Sequence, residues 1–116
     1  MTRRRGGKPE LVTIFWRDIP AQINASGGDE QARVILSDRF QHAIDRAATV
    51  ADKTETESYV AEWRRLTSKI EGDPTSAAEA ERERIEAEYH RDRLEALVWS
   101  GGQDEAGSPF QKDGSS

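Results

Sequence analysis

At 116 residues the chain has room for one domain. Apolar and charged residues each make up 34%, so a core forms only if the apolar ones concentrate, and the absence of cysteine excludes disulfides, thiolate nucleophiles and thiolate zinc sites. A net charge of −5 argues against a general polyanion binder, because phosphate backbones demand local positive charge and Arg3-Arg4-Arg5 with Lys8 is too short a cluster to supply it.

Residues 1–9 read as a disordered basic tail. The apolar run Leu11 to Trp16 is too short for a signal peptide's apolar region or a bilayer span, so the expected location is cytoplasmic. Glu10–Arg17 is the clearest strand, apolar on both faces and ended near Asp18 because Pro20 cannot donate to a ladder. Ile19 to Glu30 reads as a connection with a turn at Ser26-Gly27-Gly28-Asp29, and Gln31–Leu36 as a second strand. Ser37 is a fitting N-cap for a helix from Asp38 to Ala51, where Phe40, Ala43, Ile44 and Ala47 recur at helical spacing. Ser58–Arg65 alternates as a third strand, although it also contains helix formers. Asp73-Pro74-Thr75-Ser76 starts a helix that continues to Trp99, stopped by Gly101-Gly102. Ile85, Tyr89, Ala96 and Leu97 form a thin stripe on it, but Leu94 and Val98 point elsewhere, so the apolar positions define no single buried face. From Ser100 to Ser116 the composition predicts a disordered tail, leaving residues 10–99 as the domain.

The order β-β-α-β-α predicts a small α+β sandwich, a three-stranded mostly antiparallel sheet with two helices on one face. Alternation assigns Val12, Ile14, Trp16, Val34, Leu36, Tyr59, Ala61 and Trp63 to the core. The opposite, open face then carries Leu11, Phe15, Ile35 and Val60 at its centre with Arg17, Arg33, Glu62 and Arg64 at its rim. An apolar centre within a charged rim is the usual anatomy of a protein interface. On that placement Phe15→Arg spares folding and Trp16→Ala does not.

Ile14-Phe15-Trp16-Arg17-Asp18-Ile19-Pro20-Ala21-Gln22, then Phe40 with Ile44-Asp45-Arg46-Ala47-Ala48, then Tyr59 with Ala61-Glu62-Trp63-Arg64, then Glu86-Ala87-Glu88-Tyr89 resemble the bacterial virulence factor domain family, in order across residues 10–98. The resemblance implies no biochemical activity and carries over no catalytic residue. It does imply an association with folate- and corrinoid-dependent one-carbon metabolism, through the gene neighbourhoods of similar small members.

The candidate sites are weighed against plainer roles. Trp16-Arg17-Asp18 and Trp63-Arg64-Arg65 are hot-spot residue types, yet a core Trp beside an ion-paired Arg explains them equally. His42 with Asp45, or His90 with Glu86, could present two metal ligands, but no third is evident, so no metal and no cofactor are expected. No catalytic grouping stands out, and Gly27-Gly28 lacks phosphate-loop spacing. The resulting expectation is a noncatalytic accessory module that binds a larger protein partner, with homodimerisation open to it and nucleic acid and membrane excluded. The alternative is a binder or enzyme for a small anion, such as a folate tail, held by Arg17, Arg33 and Arg64.

Overall fold

The computed structural model describes residues 9–104. The elements run β1 (Glu10–Trp16), β2 (Ile19–Gly27), β3 (Glu30–Ile35), α1 (Asp38–Val50), α2 (Thr56–Val60), β4 (Trp63–Lys69), α3 (Pro74–Glu88) and α4 (Arg91–Trp99). The strands form one antiparallel sheet in the order β3-β2-β1-β4. The fold is α+β as expected, but the sheet has four strands where three were predicted. The described residues hold four helices where two were predicted.

The additional strand is β2, read from sequence as a connection. Its Pro20 lies at the point where the β1–β2 register shifts, between Ile14↔Gln22 and Phe15↔Pro20. A residue without an N–H is tolerated at such an irregularity. Leu11 and Trp16 are both in the core cluster, although strict alternation would send them to opposite faces.

α1 buries Phe40, Ala43, Ile44, Ala47 and Ala48 on one stripe. Ser58–Arg65 is not one strand: Thr56–Val60 is a helical turn, and β4 begins at Trp63. The long second helix is two. Tyr89 leaves helical geometry (φ −95°, ψ 60°), and His90 restarts the chain by accepting from the Arg93 N–H at 3.3 Å. The break explains why the apolar positions fit no single face. Ile85 and Ala78 serve α3, whereas Leu94, Leu97 and Val98 serve α4 in a different direction.

The predicted core is half right. Trp16 and Leu36 are in the buried cluster, and Val34, Tyr59 and Trp63 pack against it. Ala61 is exposed. Val12 is buried but outside that cluster, and Ile14 is half-buried. Leu11, assigned to the open face, is a core residue.

Residues 1–8 and 105–116 lie outside the described residues, with most of the two predicted tails. Ser100 to Asp104, assigned to the second tail, are part of the domain: Gly101 and Gly102 are buried. Among the described residues no helix is long and apolar enough to cross a membrane.

Candidate functional site

The motif residues are fastened to one another. Trp16 is fully buried, donates its indole N–H to the Tyr59 carbonyl at 2.8 Å and stacks on the Tyr59 ring at 5.6 Å. Trp63 meets the same ring edge-on at 5.9 Å. Arg17 and Asp18 form the turn between β1 and β2, with Arg17 at φ 54°. The Arg17 backbone N–H donates to the Glu62 carbonyl, and its guanidinium donates to the Glu62 carboxylate at 3.2 Å and to the Gly101 carbonyl at 3.0 Å. Asp18 donates its N–H to Gly102 and accepts from the Asp104 N–H at 2.7 Å.

The other two motifs close a second joint. Glu86 accepts from the Ser37 N–H at 2.8 Å and its hydroxyl at 2.9 Å, and from Arg39 at 3.1 Å. Ser37 therefore does not cap α1 with its own oxygen, as its position suggested; its hydroxyl donates to the Glu86 carboxylate of α3 instead. Tyr89 packs tilted against Phe40 at 6.3 Å. Burial pushes the Tyr89 hydroxyl up from its ordinary value.

The six predicted binding residues do not form one surface. Arg17 and Arg64 both approach Glu62, at 3.2 and 3.8 Å, with Lys53 at 3.6 Å. Burial raises the Glu62 carboxyl, but the hydrogen bond and charge of Arg17, aided by Lys53 and Arg64, outweigh it and hold the group below the usual range. Arg33 stands on β3, at the far edge of the sheet from β4 and about 14 Å across three strand spacings. The three arginines therefore do not converge on one anion. Phe15 is only 4% exposed, and Val60 lies on α2. Arg33 and Ile35 keep their places on the outer face, opposite the core.

That outer face has different members from those predicted. Cross-strand partners set Arg33, Asn24, Val12 and Thr67 in one row, and Ile35, Gln22, Ile14 and Arg65 in the next. Arg65 replaces Arg64 because β1 is turned over relative to the sequence expectation: Phe15, the partner of Arg64, is buried, whereas Ile14, the partner of Arg65, is on the outer face. A shallow open depression of about 590 Å³ occupies this face, lined by Val12, Asn24, Gln31, Arg33 and Arg65, with the carboxylate residue Glu10 also in its lining. Ile35 is 63% exposed at its edge. Neither Arg33 nor Arg65 is in an ion pair among the described residues.

Neither candidate metal pair gathers a third ligand: among the described residues no group of three His, Asp or Glu is placed to hold a metal ion. His90 is engaged as the α4 cap and Glu86 by Ser37 and Arg39.

Fold and surface together define a small α+β domain whose signature side chains serve as internal fastenings and whose exposed sheet face is a shallow, cationic, partly apolar surface. The chain belongs to the Virulence factor family, whose model matches residues 14–98. No curated protein and no solved structure matches it.

Proposed function

We propose that the domain is a noncatalytic protein-binding module that docks an acidic surface of a larger partner on the outer sheet face. The observation that carries this reading is the depression across β3, β2, β1 and β4, with Val12 inside it and the guanidiniums of Arg33 and Arg65 at its sides. A sheet face with an apolar centre and cationic flanks on a chain of net charge −5 favours association with negative surfaces. A partner from folate- or corrinoid-dependent one-carbon metabolism is the expectation that the family resemblance adds.

The test is native affinity capture with mass spectrometry, comparing the wild-type chain with Arg33→Glu/Arg65→Glu. Both residues are exposed, so the melting curve is expected to move by no more than about 0.5 kcal/mol in stability. A stoichiometric partner retained by the wild type and lost by the double variant supports the module. A partner held equally by both removes this face from the interaction.

A further inference from the structure

A second surface lies on the other side of the molecule, where α1 and α4 run beside each other. α1 contributes Arg39, His42, Ala43 and Arg46, and α4 contributes Arg91, Leu94, Glu95 and Val98. Both sets follow the i, i+3, i+4, i+7 spacing of one helix stripe. The groove between them encloses about 300 Å³. Its floor is apolar: Ala43, Leu94 and Val98 are all buried. The α1 residue of the floor is an alanine, and the arginines line the groove beside it.

The rim is cationic and partly held in place. Arg39 is anchored by its bonds to the Glu86 carbonyl at 2.7 Å, the Glu86 carboxylate and the Tyr89 carbonyl, which position it toward the α3–α4 break. Arg46 grips Glu95 with two bonds of 2.9 Å and faces the Trp99 ring at 6.0 Å. Trp99 donates its indole N–H to the same carboxylate at 2.8 Å, yet remains 65% exposed. Arg91 is in no ion pair among the described residues. Three guanidiniums border the groove: Arg39 is paired with Glu86 and Arg46 with Glu95, so the charge of Arg91 is the one left over, on a chain whose net charge is −5.

We propose that this groove docks an acidic segment of a partner protein, its carboxylates set against Arg91 and its apolar side chains over the floor of Leu94 and Val98 and against Trp99. Charge complementarity selects the acidic partner. The exposed Trp99 beside the groove extends the contact surface past the cavity itself, which suits a polypeptide better than a small molecule. Trp and Arg are also the residue types that carry most binding energy when an interface covers them. The inference is independent of the sheet face: the two surfaces share no residue.

The probe is a short blocked peptide of Glu-Leu-Leu repeats, with a twin carrying Gln in place of Glu. Methyl and indole NMR resonances of the full chain are followed during titration. Saturable shifts are expected at Leu94, Val98 and the Trp99 indole, weakening with added salt. Affinity is expected to fall at least about tenfold for the Gln twin, and by a similar factor for Arg91→Glu and for Trp99→Ala. Both substitutions are at exposed positions, and an unchanged amide spectrum away from the groove verifies their folding. Absent shifts, equal affinity for the Gln twin, or shifts confined to other surfaces overturn the proposal. Hexanoate binding at the same residues as tightly as the peptide overturns the choice of a protein partner and assigns the groove to free carboxylates.

Discussion

Arg17 and Asp18 show how a turn of two residues organises a domain. The carbonyls of Glu62, Gly101 and Gly102 and the carboxylates of Glu62 and Asp18 meet there, so the hairpin, the start of β4 and the end of α4 share one joint. Gly102 is required in it: its φ is 91°, and a Cβ would stand 3.0 Å from the Trp16 ring. The residue types of Trp16-Arg17 were conspicuous in sequence because a buried aromatic and a half-buried ion pair need the same rare letters as a binding hot spot. Phe15 separates the two readings. Strict alternation made it an open-face residue, but at 4% exposure a guanidinium in its place would have to be desolvated or force the chain apart. Phe15→Arg is therefore expected to destabilise the domain by about 3–5 kcal/mol, comparable to Trp16→Ala. Urea or thermal melts followed by circular dichroism check this. A Phe15→Arg variant that melts like the wild type would restore Phe15 to an open surface.

At the scale of elements, legibility followed local signals. β1, β3 and α1 were readable because periodicity, a Gly turn and a continuous apolar stripe each point one way. β2 was not, because Pro20 looks like a terminator until the register shift opposite Phe15 shows where its missing N–H is tolerated. The α3–α4 break was hidden because neither Gly nor Pro marks it; tertiary contacts of Tyr89 with Phe40 and Arg39 replace the sequence signal. The end of α1 was placed correctly, and its chemistry makes a prediction. Asp52 follows the helix with φ 60°, while the Lys53 N–H closes back on the Ala48 carbonyl at 2.8 Å. That is the left-handed position after a helix, where glycine avoids the Cβ penalty. Asp52→Gly is expected to stabilise the domain by about 0.5 kcal/mol, since relief of the strained φ exceeds glycine's added entropy in the unfolded chain. A chemical denaturation midpoint that falls would show that Asp52 has a compensating contact.

Across the whole molecule, the surfaces were the least legible part. Arg33 and Ile35 were placed correctly, but Arg65 and Val12 emerged only with the register, and the α1–α4 groove only with the break at Tyr89. The distribution of carboxylates is likewise a tertiary property, and it fixes how stability depends on pH. Arg46 and the Trp99 indole hold Glu95 down at about 2. At Glu86 burial acts upward, but the bonds from Ser37 and Arg39 prevail, so it too lies below its ordinary value of 4.5, as does Glu62. A carboxyl whose folded value is depressed binds fewer protons in the folded state than in the unfolded one. Its stabilisation is complete above the unfolded value and is lost as pH falls through the folded value. Glu30 works in the opposite sense, raised by its hydrogen bond to Asp73, and Asp73, lowered first by the Ser76 backbone N–H, offsets it. The balance of three depressed glutamates predicts that stability declines as pH drops from 4.5 toward 2. Glu86→Gln is expected to cost about 1–2 kcal/mol near neutral pH, because the neutral amide accepts weaker bonds from Ser37 and Arg39. The same variant should lose less stability than the wild type on acidification to about pH 3, since the group whose protonation is penalised is gone. Urea denaturation of both proteins at the two pH values measures this difference. Parallel pH profiles would mean that Glu86 titrates alike in the folded and unfolded chains, and that the acid sensitivity belongs to the Arg17–Glu62 joint instead.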